Sequence, residues 1–259
     1  MQPGRFASVL AIALGACGGG GAKAADKPVV ISPVPTTRVV APEPEDEPED
    51  GVQFASTKGH MEMSVIEAGI APHKQALSDC YTTNLKKRRW LGGTVIIHWD
   101  IAKDGTVTAV RLAETEPGTN LGNWQIEKCI LDVARAATFG PPVGGDADFQ
   151  IPLEFTAKGK LVNWDEDMTV RAVGGQTAKL DECAKPKGKV KPKDRIEAPK
   201  GNVWITLYVG PHGKAQSVGF AGKPTIDDAW ADCAEKAALS WRLPDPKGTV
   251  AKLTVQYPR

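Results

Sequence analysis

The sequence predicts an α+β protein made of two tandem modules. Each module runs helix–strand–strand–helix–strand, with a small antiparallel sheet packed by helices. Three observations predict this. The chain repeats itself after residue 60, and Gly93–Val110 aligns with Gly201–Val218 without a gap. Apolar residues alternate within the aligned stretches and recur at helical spacing on either side of them. Four cysteines fall at matching places, Cys80 with Cys183 and Cys129 with Cys233.

Each element follows from a local pattern. In the first module (61–156), Val65, Ile66, Ile70, Leu77, Tyr81 and Leu85 share a helical face, and Pro72 starts or kinks a segment of it. Val95, Ile97, Trp99 and Ile101 alternate with Ile96, His98 and Asp100, the mark of a strand with one buried face. Asp104-Gly105 makes a tight turn, because Gly adopts positive φ at little cost. Val107–Leu112 returns as the second strand. Ile126, Cys129, Ile130, Val133, Ala134 and Ala137 form a second helical face, and Phe149, Ile151, Leu153 and Phe155 alternate as the third strand. The second module (168–259) mirrors this with Trp230, Cys233, Ala237 and Trp241, then Leu253, Val255 and Tyr257. The acidic stretch 157–167, with Asp165-Glu166-Asp167 after Trp164, reads as a linker without fixed geometry.

Cys80 and Cys129 lie on the apolar sides of helices that cover the same sheet. Four cysteines allow three pairings, and the repeat selects one bridge per module, Cys80–Cys129 and Cys183–Cys233. A loop of about fifty residues stabilises by roughly 4 kcal/mol in the chain-entropy model, which suits modules with modest cores. A zinc site is the competing idea. No CxxC pair exists, and the four histidines do not cluster with the cysteines, so neither metal nor cofactor is expected.

The fifth cysteine belongs to the N-terminus. Phe6–Ala16 is a short apolar run ending in Leu14-Gly15-Ala16-Cys17, too short to span a bilayer. It reads as a lipoprotein signal peptide with its lipobox (1–17), and Cys17 as the lipidated residue. Gly18 in place of Asp after that cysteine points to the outer membrane or periplasmic face. Residues 18–60 then form a tether. Pro42–Asp50 holds six carboxylates and three prolines in nine residues, which is expected to stay extended and disordered. The tether reads as a spacer or as a docking site for a basic partner.

Several stretches resemble the AgmX/PglI C-terminal domain, a TonB-C-like module of myxobacterial-type envelope proteins. They are Cys80-Tyr81 with Leu85 and Gly93-Thr-Val95, then Gly105-Thr-Val107 and Asn123…Cys129. The ending Phe139-Gly-Pro-Pro142-Val-Gly144-Gly145 with Ile151-Pro-Leu-Glu-Phe155 is similar too. The resemblance covers about 61–156; the second copy is degenerate, since Cys183 lacks the following Tyr. It implies two TonB-C-like modules in an envelope complex for motility or transport, capturing partner peptides by strand addition to a sheet edge. It does not extend to energy transduction, for which an N-terminal spanning helix would be expected.

Charge and motifs narrow the function further. A net charge of +1 over 259 residues gives no nucleic-acid footprint. There is no G-x-S-x-G, no H-E-x-x-H and no Walker loop, so no enzyme is expected. His60, His73, His98 and His212 are scattered; His98, on the polar face of its strand, and His212, in a turn, read as solvated. The basic run Lys185, Lys187, Lys189, Lys191, Lys193 and Arg195 lies in a lengthened loop of the second module. It reads as a solvated insertion or as a contact for anionic wall or surface polymer. The expected function is a non-enzymatic, membrane-anchored scaffold for envelope proteins, with polymer binding through this loop as the alternative.

Overall fold

The computed structural model describes residues 58–113, 118–185, 191 and 195–257. Cys17 and the expected signal peptide, and the tether up to residue 57, lie outside the described residues. The fold is mixed α+β, with five α-helices and two small open sheets among the described residues.

The first sheet contains β1 (Gly93–Ile101), β2 (Val107–Ala113) and β3 (Ala147–Phe155) in the order β2-β1-β3, all antiparallel. Ile97 sits opposite Leu112 on one side and Ile151 on the other, so one face of all three strands is apolar. Helices α1 (Met63–Ile70), α2 (Lys74–Leu85) and α3 (Trp124–Arg135) belong to this half of the chain. Pro72 sits in a short 3-10 turn between α1 and α2, where its missing N–H is harmless. The Trp99 indole donates to Ala134 O on α3 and its ring stacks on Phe149, fixing sheet and helix together.

The second sheet contains β4 (Val162–Asn163), β5 (Val203–Val209), β6 (Ala215–Gly222) and β7 (Ala251–Tyr257) in the order β4-β7-β5-β6. Helices α4 (Glu166–Val173) and α5 (Asp228–Leu239) accompany it. The two sheets share local details. β1 and β5 are both central, and the register slips at Asp100/Ile101 in one and at the aligned Tyr208/Val209 in the other. Cys80 bonds to Cys129 and Cys183 to Cys233, with Cα atoms 5.6 Å apart in both, which is the pairing the repeat selects.

Three features differ from expectation. The 157–167 stretch is not free of geometry. It supplies β4, which pairs in parallel with β7, and Asp165 caps α4 by accepting from Met168 N at 2.7 Å. Acidic composition suggested a linker, but Leu161 and Trp164 anchor the stretch against the core. The helix bearing Cys183 is a 3-10 turn (Thr177–Ala184) rather than a continuation of α4. Gly174-Gly175 ends α4, with Gly175 at φ 77°. His98 is buried at 4% exposure, not solvated. As the central strand's residue it lies opposite Arg111 and Gln150, and its ring bonds to Gln150 at 3.0 Å and Asp100 at 3.2 Å. His212 does lie exposed in a turn, at φ 61°.

Candidate functional site

Strand β3 is one of the two edge strands of the first sheet, and its free edge is the candidate site. Which residues point their backbone outward follows from the second sheet. There Val162 N donates to Val250 O at 3.0 Å and Trp164 N to Lys252 O at 3.2 Å, so the even-numbered residues of β7 face away from β5. The matching residues of β3 are Asp148, Gln150, Pro152 and Glu154, because Val95 pairs with Leu153 where the aligned Val203 pairs with Tyr257. Pro152 obeys this parity, since a proline with its nitrogen turned to the outside costs the ladder nothing. The side chains of Phe149, Ile151, Leu153 and Phe155 turn into the core.

The chain itself covers part of that edge. Gly59 N donates to Asp146 O at 2.7 Å, the atom that matches Val250 O, and Lys58 pairs with Asp148 at 2.8 Å. Beyond Asp148, no described segment adds to β3. The second sheet's matching edge is taken by β4. Both edges therefore bind the chain's own backbone at their first residues; the pairing reaches Lys252 O on β7, whereas on β3 the matching Asp148 O and the positions Gln150 to Glu154 take no strand among the described residues.

A polar joint between the halves holds the two sheets in place. Glu127, 2% exposed at the start of α3, accepts from Gly122 N at 2.9 Å, Asn123 N at 3.0 Å and Phe220 N of β6 at 2.8 Å. Asn123 Nδ2 donates to Ser217 Oγ at 2.8 Å, and Ser217 Oγ donates to Gly122 O at 2.7 Å. The Tyr208 hydroxyl and the Lys252 ammonium both donate to Gly92 O, at 2.7 and 3.2 Å. A Cβ on Gly219 would fall 2.2 Å from the Glu127 carboxylate, so only glycine permits this approach. Burial pushes the Glu127 carboxyl up to about 7, against the opposing pull of its three N–H donors. Burial also lowers Lys252 to about 8, with Glu127 pulling it back up, and it raises the Tyr208 phenol. At the rim, Asp232 takes Trp124 Nε1 and Lys128 at 2.7 Å each, and Asp228 takes Arg135 in a two-pronged pair at 2.8 Å.

Comparison with known proteins returns nothing: no protein-family model, no curated protein and no solved structure matches the chain. The site therefore rests on its own geometry.

The other predicted residues are placed as follows. The four disulfide cysteines are paired. Lys185, Lys191 and Arg195 are exposed, and Lys185 pairs with Glu182. Lys187, Lys189 and Lys193 lie outside the described residues, as does Cys17. Two features escaped the sequence reading. Glu127 counted only as part of a family motif; it stands four residues after the N-cap Asn123, one beyond the capping-box position, and an acidic residue in the first turn was the available signal. The second is a basic surface. Lys86, Lys87, Arg88 and Arg89 follow α2, and the loop with Lys158 and Lys160 is fastened beside them. Lys158 N and Gly159 N both donate to Arg89 O, at 2.7 and 2.8 Å. A run of four consecutive cations was the available signal.

Two disulfides fit an oxidising compartment outside the cytoplasm. Among the described residues no helix is long and apolar enough to cross a membrane.

Proposed function

We propose that the protein is a lipid-anchored envelope protein that acts by binding and scaffolding partner proteins, capturing an extended segment of a partner on the free edge of β3. The observation that carries this reading is the contrast between the two edges. The β7 edge accepts β4 through backbone hydrogen bonds to Val250 O and Lys252 O, with Leu161 and Trp164 packed against the core, and the matching β3 edge is open beyond Asp148 among the described residues. Backbone donors and acceptors left on an outer strand recruit another strand readily. The resemblance of 61–156 to TonB-C-like modules supports the same reading, as does the lipobox at Cys17 for the anchor. The rigid joint at Glu127 lets the second half hold the first without taking part in capture.

The test is affinity capture from cross-linked, detergent-solubilised envelopes, with the native chain beside Glu154→Pro. Glu154 is exposed and points its N–H outward, so proline blocks strand addition and leaves the ladder to β1 intact. A defined set of envelope proteins should be recovered with the native chain and lost with the variant. Equal recovery by both would refute edge capture.

A further inference from the structure

The basic surface after α2 has no assigned role. Lys86, Lys87 and Arg89 are exposed, as are Lys158 and Lys160 on the adjoining loop. The two loops are held together by the paired hydrogen bonds to Arg89 O, and Gly159 lies directly against Trp90. These cations thus form a fixed surface rather than a mobile run. Lys86 even holds φ 51°, a backbone shape that suits glycine better.

The chain carries a matching anion. Glu43, Glu45, Asp46, Glu47, Glu49 and Asp50 lie just before the described residues. Where the described chain begins, Lys58 pairs with Asp148 near the start of β3. The basic surface sits past the other end of β3, around Lys158. From Asp148 to Phe155 the strand spans roughly 24 Å at about 3.4 Å per residue. The eight steps from Lys58 back to Asp50 reach up to about 27 Å when extended. Asp50 therefore reaches about as far as the end of β3, and the carboxylates before it in sequence come within reach of the basic surface beyond.

We propose that this surface is an anion-docking site whose resident occupant is the chain's own acidic stretch Glu43–Asp50. Tethering gives that stretch an effective concentration on the order of millimolar, so a free polyanion below that level competes with it at a disadvantage. Docking shields the surface, so an outside polyanion binds only by displacing six carboxylates. It also brings the tether back along the molecule, holding the anchor close to the first sheet.

The experiment is carbodiimide cross-linking of the full chain in detergent, with the linked lysines mapped by mass spectrometry. Peptides containing Glu43–Asp50 should join Lys86, Lys87, Lys158 and Lys160. Those links should fall about fivefold in 0.5 M salt, since exposed ion pairs are screened there. They should also fall at Lys158 and Lys160 in K86E/K87E/R89E, whose changes are all on exposed side chains. Links spread evenly over surface lysines, links gathered on Lys185 and Lys191, or links unchanged in the variant would each overturn the proposal. An equal mixture of ordinary and isotope-labelled chains separates self-docking from docking on a second copy, and hybrid-mass links would overturn it. A polyphosphate titration gives an independent reading. Replacing the six carboxylates with Ser should tighten polyphosphate binding about tenfold by removing the tethered competitor. Unchanged affinity would overturn the shielding.

Discussion

Two side chains carry unusual burdens. Lys86 ends α2 at φ 51°, ψ −125°, a conformation that costs a residue with a Cβ on the order of 1–3 kcal/mol. Lys86→Gly should therefore raise stability by about 1 kcal/mol after the added unfolded-state freedom of glycine is subtracted. A urea midpoint equal to or below that of the native chain would show that the strain is absent. Glu127 is the opposite case, a buried carboxyl held by three N–H donors. Glu127→Ala leaves three buried N–H groups without an acceptor, at about 1–3 kcal/mol each before relaxation. A loss of several kcal/mol is expected in the same assay, and a loss under about 1 kcal/mol would mean that water replaces the carboxylate. Neither residue was singled out in the sequence on its own merits. A backbone angle leaves no mark in composition, and a glutamate in a helix's first turn is normally a solvated cap. Burial of Glu127 comes from Phe220 and Gly219, more than ninety positions away.

At the scale of elements, legibility followed side-chain periodicity. The strands β1, β3 and β7 were readable because apolar residues recur at every second position in Val95–Ile101, Phe149–Phe155 and Leu253–Tyr257. The disulfides were readable because the repeat placed each cysteine twice. β4 was not, since two residues hold no period, and its pairing is set by backbone bonds to Val250 O and Lys252 O. The candidate edge β3 was legible as a strand but not as an open one, because edge status depends on what the rest of the chain covers. Two expectations belong here. Replacing Cys80 and Cys129 together with Ser opens a loop of 49 residues and should cost about 4 kcal/mol in the chain-entropy model. Retention of native stability would mean that α2 and α3 hold by packing alone. Trp164→Pro removes the donor to Lys252 O and should detach β4, exposing a second open edge. That variant should self-associate in sedimentation at concentrations where the native chain does not.

Over the whole molecule, the halves meet through the polar joint rather than swinging on a linker, and the joint makes stability depend on pH in an uncommon way. Glu127 titrates near 7 in the folded chain against an ordinary 4.5. Its folded form binds the proton more tightly, so its contribution is full below about 4.5 and lost as pH rises through 7. Glu235, raised by burial, acts in the same direction. Lys252 titrates near 8 against an ordinary 10.5, so its contribution is full above about 10.5 and lost as pH falls through 8. The two arms slope in opposite directions and meet between 7 and 8. Stability should therefore pass through a minimum there, with each arm rising by on the order of 1–3 kcal/mol. Tyr208, raised by burial, pulls stability down only above about pH 10, so the window to measure is 5 to 9.5. Urea unfolding at pH 5, 7.5 and 9.5 checks this, and Lys252→Met should flatten the upper arm while leaving the lower one. A maximum near neutrality in the native chain would mean that Glu127 and Lys252 act as a stabilising ion pair, and that the joint tightens where it is expected to be weakest.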